Sequence, residues 1–467
     1  MPVPEQAIVI GIGGTGAKCV EALCHLAVSG HSPQNIYPIL IDQDSKNGNV
    51  KRCKNALQAY ADLRKKSNVP RKWFFTPTFN LFDKLLPLLP QEENKNYGAA
   101  IGLPSMDTEE ATVTKALYLP NQLNESLDSG YKKRAHMGSL LIQQMLEKEE
   151  EKLANEEGLN FVIDKLKRVQ QPHVVIYGSL FGGTGASGLV RIGKYFKEKM
   201  DNAIVKGVFL TPYFIIGKSS ESDKDANLIK SDADMQAVKI VLQLYRDEIK
   251  KSFHNVFIVG SEISRLDGEY VTDEAKYGGP DQENPAHVFE LLAATVPFLE
   301  YHDTRSQILS FVAETEKQIP PAIFSLSSNY PKNSPDEYNA TLSIDILKIK
   351  RFVLVRDFAN MLFQVSDHNE KTWWKRQPWV DIVLKADLLN WAFRHIAWWK
   401  EMSPDLWNKH RWGKFPLRLN TQIPEYLYSS YLSRYILKKS PSDLANLFST
   451  IDTLERKKIR RLKWASI

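Results

Sequence analysis

The chain has 467 residues, 43% hydrophobic and 25% charged, with a formal net charge of +6. This suits a globular protein of two or three domains, and the mild basic excess does not by itself imply nucleic acid. No apolar run reaches the ~20 residues of a membrane span. Residues 1–5 lack the basic and apolar regions of a signal peptide, and Cys19, Cys24 and Cys53 form neither a disulfide framework nor a Cys-x-x-Cys; a cytoplasmic location is expected.

In chain order, residues 7–10 form an apolar run that reads as a buried strand. Gly11-Ile12-Gly13-Gly14-Thr15-Gly16 follows as a glycine turn, and residues 19–28 carry a helical pattern. A second strand spans 37–41 and ends in Asp42-Gln43-Asp44-Ser45. Acidic residues at that place stand beside the nucleotide in many dinucleotide folds, while a turn with a helix cap is the structural alternative. Residues 61–130, with six prolines, read as an insertion that is partly helical at 82–89. A helix is expected over 138–169, with a solvated charged face at 147–152. Before it, Lys132, Lys133 and Arg134 offer charge to a phosphate or are ordinary surface bases.

A third apolar run, 174–177, leads into a second glycine turn, Gly182-Gly183-Thr184-Gly185-Ala186-Ser187-Gly188, and a helical pattern over 189–200. Strands at 205–210 and 255–259 flank a helix at 232–251. The stretch 278–287 then opens an apolar helix running to Leu299, with Asn284 as its cap directly before Pro285.

A strand, a glycine turn and a helix N-terminus form a phosphate site, because glycine lets the backbone approach and the free N–H groups point at the anion. Gly13, Gly14, Gly16, Gly182, Gly183 and Gly185 bring main-chain donors, and Thr15, Thr184 and Ser187 add hydroxyls. Two turns with Gly-Gly-Thr-Gly suggest one polyphosphate held from two sides. Neither turn has the Gly-Lys-Ser/Thr ending of a P-loop. The first alone fits the dinucleotide pattern G-x-G-x-x-G from Gly11 to Gly16, which is short and unspecific.

The second turn resembles the signature of the tubulin/FtsZ superfamily, with Phe181 replacing its first glycine and Ala186-Ser187-Gly188 extending its end. The first turn resembles the opening nucleotide loop of FtsZ. The match is nearest the divergent bacterial tubulin-like proteins and covers residues 1–60 and about 130–300. The resemblance implies an α/β fold: a nucleotide domain of mainly parallel strands with a central helix (1–300), and a smaller α+β domain (301–467). It implies GTP with Mg2+ held mainly by phosphate oxygens, and self-association at the nucleotide. It sets Asp42 and Asp44 beside the nucleotide and Asn284 at guanine; where the family has a loop of small residues against the terminal phosphate this chain has Lys132, Lys133 and Arg134, and where it has an Asn-Asp pair for the ribose this chain offers Ser261 or Glu262. The catalytic acid of the family follows the central helix, which here brings forward Glu300 and Asp303, although the Asn-containing motif is absent. The alternatives are a non-polymerising nucleotide sensor or scaffold, as in an antiphage system, and a Rossmann-type NAD-dependent enzyme.

No resident metal cluster has suitable spacing. The last third holds eight tryptophans between 373 and 412 with interleaved basic residues. Trp391, His395, Trp398 and Trp399 share a helical face, which favours a packed core or a protein partner over nucleic acid. Residues 341–355 read as a strand hairpin or the entry from a strand into a helix. Residues 455–464 are strongly basic, either a solvated helix or a segment for an acidic partner, nucleic acid or an anionic membrane.

Overall fold

In a computed structural model, the structure describes residues 6–28, 30, 33–44, 46–65, 75, 77–81, 96–127, 131, 134–151, 158–169, 171–211, 231–259, 279–280, 282–294, 296–298 and 382–401. The expectations for 82–89, 341–355, Lys132, Lys133, Ser261, Glu262, Glu300, Asp303, Trp373, Trp374, Trp379, Trp407, Trp412 and 455–464 lie outside these residues. The chain divides into two compact units. One comprises 1–23, 33–57 and 79–331, and the other 24–32, 58–78 and 332–467.

The first unit is built on a six-stranded sheet. Its strands are β1 (Gln6–Ile12), β2 (Asn35–Ile41), β3 (Thr78–Phe79), β4 (His173–Ser179), β5 (Ile204–Leu210) and β6 (Asn255–Val259), in the order β3-β2-β1-β4-β5-β6. The pairings β1–β2, β1–β4, β4–β5 and β5–β6 are all parallel. Parallel strands are covered on both faces, which is why β1 and β4 read as unbroken apolar runs. Every residue of β4 is buried, as are six of the seven in β1.

Helix α1 (Gly13–Ala27) follows β1, and α2 (Gly48–Lys65) follows β2. The stretch 96–127 carries short elements: α3 (Tyr97–Ala100), a 3-10 turn, α4 (Thr108–Leu117) and α5 (Pro120–Leu123). The long helix expected over 138–169 is instead two, α6 (Ala135–Glu151) and α7 (Leu159–Leu166). The buried Glu149 accepts from the Leu159 N–H at 2.9 Å and so joins them; this one member of the charged stretch 147–152 is not solvated. Helix α8 (Gly183–Lys199) follows β4, and α9 (Ser231–Ser252) precedes β6. The apolar helix expected to reach Leu299 is the short α10 (Val288–Ala293) and a 3-10 turn at Val296–Phe298. Pro297 explains the break, since it lacks the N–H that an α-helix interior needs.

In the second unit, α11 (Ile382–Glu401) packs on the end of α1. His395 Nδ1 lies 3.1 Å from His25 Nδ1, and the Trp398 ring centroid is 4.7 Å from that of His25. Trp391 meets Phe75 edge-on at 5.2 Å. Trp391, His395 and Trp398 are buried together. Base stacking needs exposed rings, so these three serve packing. Among the described residues, no helix is long and apolar enough to cross a membrane.

Candidate functional site

The helices start earlier than the sequence pattern suggests. Helices α1 and α8 begin inside the glycine turns, at Gly13 and Gly183, and so leave N–H groups of these turns directed beyond the carboxyl ends of β1 and β4. These two strands are neighbours, with Gly11 opposite Tyr177. The chain leaves β1 towards β2 and leaves β4 towards β5, so the sheet order reverses between them. Ligands of open α/β sheets bind in the crevice at such a switch point.

The turns also touch. Gly13 has φ +70°, a left-handed conformation suited to glycine, and a methyl there would sit 3.4 Å from the Thr184 Cβ and 3.5 Å from the Gly185 nitrogen. Residues far apart in sequence, Gly13 and Thr184, thus form one surface. Neither α1 nor α8 carries an acidic side chain in its own first turn, so neither helix offsets the positive end of its dipole from within. Thr15 is half-buried on this surface. Gly16 is there for close packing: a methyl would lie 2.7 Å from the Tyr177 carbonyl oxygen.

Asp42, at the end of β2, is buried among donors. It accepts from the Asp44 N–H at 3.2 Å, Asn47 Nδ2 at 3.0 Å and the Thr184 hydroxyl at 3.5 Å. Burial raises its carboxyl to about 7, with the neighbouring Asp44 adding to the rise and the hydrogen bonds opposing it. Asp44 accepts from the Lys46 N–H at 3.0 Å and from the Gly279 N–H. Of the two expected acids, Asp42 therefore reaches the second turn and ties β2 to the start of α8, while Asp44 holds Lys46 and Gly279.

Asn284 also comes to this place. Its N–H donates to Asn49 Oδ1 at 2.9 Å. It does not cap α10, which starts at Val288; there the Glu290 carboxylate takes the His287 N–H at 3.0 Å. Asn49 is the residue that the sequence reading missed. It is 1% exposed, its Nδ2 donor has no hydrogen-bond partner among the described residues, and a methyl on Gly14 would lie 3.2 Å from that atom. Beside it, Asn47 donates to Gln282 at 2.7 Å. The buried Tyr131 hydroxyl also has no hydrogen-bond partner, and burial together with the charge of Asp42 raises its pKa. Buried orphan donors of this kind are costly unless something accepts from them.

Two expected residues point elsewhere. The Ser187 hydroxyl lies 2.6 Å from the Gly183 carbonyl and 2.8 Å from that of Ala135, and so fastens α8 to the start of α6. Arg134 donates to Glu125 at 2.9 Å.

Behind the first turn sits a buried ion pair that periodicity did not reveal. Lys18 Nζ lies 2.5 Å from Glu290 and donates to the Pro285 carbonyl at 2.7 Å, with side-chain exposures of 1% and 0% for the pair. Burial lowers the Lys18 pKa, and Glu290 works against the shift. His287 is driven down to about 3 by burial and by Lys18, which keeps it neutral. The α1 turn is thereby tied to α10. Among the described residues, no group of three or more His, Cys, Asp or Glu side chains could hold a metal ion.

No family profile matches the sequence, and no curated protein is significantly similar to it. Solved structures are similar at a distance. CetZ from Methanosaeta thermophila shares 12% identity at a TM-score of 0.30, over 67% of this chain and 56% of that one. A GTPγS-bound protofilament of CetZ2 from Haloferax volcanii shares 12% at 0.31, over 66% and 63%. A GTPγS-form protofilament of TubZ from Bacillus thuringiensis serovar israelensis shares 12% at 0.27, over 62% and 54%. The chain spans less than two thirds of the length of each. Likeness this loose assigns no residue and no activity.

Proposed function

We propose that this chain binds a nucleoside triphosphate across its two glycine turns and associates with itself in a nucleotide-dependent way, as a cytoplasmic, cytoskeleton-like protein. The observation that carries the reading is the meeting of Gly13 with Thr184 and Gly185 at the switch point of the sheet, with no acidic side chain in the first turn of either helix itself. One helix start suffices for a pyrophosphate; two facing starts suit a longer anion. GTP as the nucleotide rests on the resemblance of the turns to the tubulin/FtsZ signature. Gly11, Gly13, Gly14, Thr15, Gly16, Gly182, Gly183, Thr184 and Gly185 serve the phosphates, and Asn284 and Glu262 the nucleoside. Mg2+ enters with the phosphates, whose oxygens supply most of its ligands. Hydrolysis, where it occurs, falls to Glu300 and Asp303 at a subunit contact.

The dinucleotide reading has one observation in its favour, because the order β3-β2-β1-β4-β5-β6 is also that of dinucleotide folds. Against it, the acid at the end of β2 is not open to a ribose: Asp42 is 2% exposed and already accepts from Asp44, Asn47 and Thr184. Calorimetry with GTP, ATP and NAD, alongside light scattering and electron microscopy, tests the proposal. GTP binding that Gly183→Trp abolishes, with assembly in GTP that exceeds the association seen without nucleotide, is expected. Tight GTP binding without assembly would leave a sensor or scaffold. NAD binding without GTP binding would overturn the reading.

A further inference from the structure

Helix α4 is anomalous. It has ten residues and none of them is buried. An isolated helix of fewer than ~12–15 residues is marginal in water, and helices normally gain stability by burying one face. Here Val113 is 59% exposed, Leu117 71% and, just beyond the helix, Leu119 63%. Local devices hold the helix: Asp107 accepts from the Glu110 N–H at 2.8 Å, and Lys115 lies in the last turn.

The exposed residues form one stripe. Glu109, Val113 and Leu117 follow at four-residue steps, with Glu110 three before Val113, so an acidic end and an apolar end share a face. Lys115, two positions from Val113, lies on the opposite side. The occupant of this face must be apolar and basic together. Within this sequence, residues 455–464 have that composition: Ile459 and Leu462, three apart, among Arg456, Lys457, Lys458, Arg460, Arg461 and Lys463.

We propose that α4 is a docking face for the basic segment 455–464 of a second copy of this chain. The apolar pair of the segment covers Val113 and Leu117, and its cations meet Asp107, Glu109 and Glu110. Because the two complementary surfaces lie on different parts of the chain, the contact is head-to-tail and repeats from copy to copy. It is independent of nucleotide.

The test is sedimentation velocity of the full chain without nucleotide, comparing wild type with Glu109→Lys/Glu110→Lys and Arg460→Glu/Arg461→Glu. Wild type is expected to self-associate, less so in high salt. Each double variant alone should associate roughly tenfold more weakly, as reversed exposed ion pairs do. An equimolar mixture should recover association, because each variant supplies the surface that the other lacks. Unchanged thermal unfolding is expected for the α4 variant, whose substituted side chains contact no core. A monomeric wild type, variants that associate like wild type, or a mixture without recovery would each overturn the proposal.

Discussion

The two glycine turns read alike in sequence and are anchored differently in the fold. The first opens α1 through a left-handed glycine and is held from behind by the Lys18–Glu290 pair, which ties it to α10. The second opens α8 after Gly182 in ordinary extended backbone, and is held by Ser187 to α6 and by Thr184 to Asp42. A shared motif therefore specifies the surface offered to an anion and leaves the support to local context. Fixed, charged support lies under the first turn. Hydrogen bonds, one of them to a titratable acid, lie under the second.

The difference is broken most sharply at Lys18. Lys18→Met takes the lysine charge away from the buried Glu290 carboxylate, and removing one partner of a buried pair costs about 3–5 kcal/mol. Urea denaturation should register that loss. The double variant Lys18→Met/Glu290→Leu should recover most of it, because no uncompensated charge remains. A single-variant loss under about 1 kcal/mol would show that the first turn is not anchored this way.

A smaller contrast sets Gly16 against Gly182. A methyl at Gly16 meets backbone, the Tyr177 oxygen at 2.7 Å and the Gly11 carbonyl carbon at 2.8 Å. Backbone cannot turn aside, so Gly16→Ala should cost about 1–3 kcal/mol by overpacking. A methyl at Gly182 meets the Ser179 hydroxyl at 2.5 Å, and a side chain can change rotamer. Gly182→Ala should therefore stay within about 0.5 kcal/mol. Equal losses in thermal unfolding would contradict the contrast.

The sheet was legible because buried parallel strands are continuous apolar runs; β6 falls at the expected residues 255–259. The helix starts were not, since Gly13-Gly14-Thr15-Gly16 and Gly183-Thr184-Gly185 have poor helix propensity and only tertiary contact extends the helices through them. The polar lattice was illegible for another reason. Asn47 meets Gln282 and Asn49 meets Asn284 across 235 positions, and no local period encodes such pairs. Lys18 pairs with Glu290 and Glu21 with Arg52, again far apart in the chain. The available signal was a lysine embedded among the small and apolar residues that open α1.

Asp42 makes the second turn sensitive to pH. Its folded carboxyl sits at about 7, above the ordinary range, so between about 4 and 7 the fold holds a proton that the unfolded chain has released. Stability is therefore gained as pH falls through about 7 and lost as pH rises through it. Because Asp42 touches Thr184, triphosphate affinity should follow the same sense, weakening by up to about tenfold from pH 6.5 to pH 8 as a charge appears beside the anion. Asp42→Asn should flatten both profiles. Profiles unchanged in the variant would remove Asp42 as the cause.

Ser187 separates support from binding with the smallest effect. Its hydroxyl faces the Gly183 and Ala135 carbonyls, both acceptors, so its proton is engaged by protein and its reach towards a phosphate is spent on α6. Ser187→Ala should cost about 0.5–1.5 kcal/mol of stability, the worth of one buried hydrogen bond. Triphosphate affinity should be unchanged, because α8 and its first-turn N–H groups keep their place. Thr184→Val, which loses a hydroxyl at the meeting of the turns, should instead weaken affinity. A Ser187→Ala variant that folds as stably as wild type but binds triphosphate several-fold more weakly would return Ser187 to the phosphate, and the second turn would then bind with the very residue that supports it.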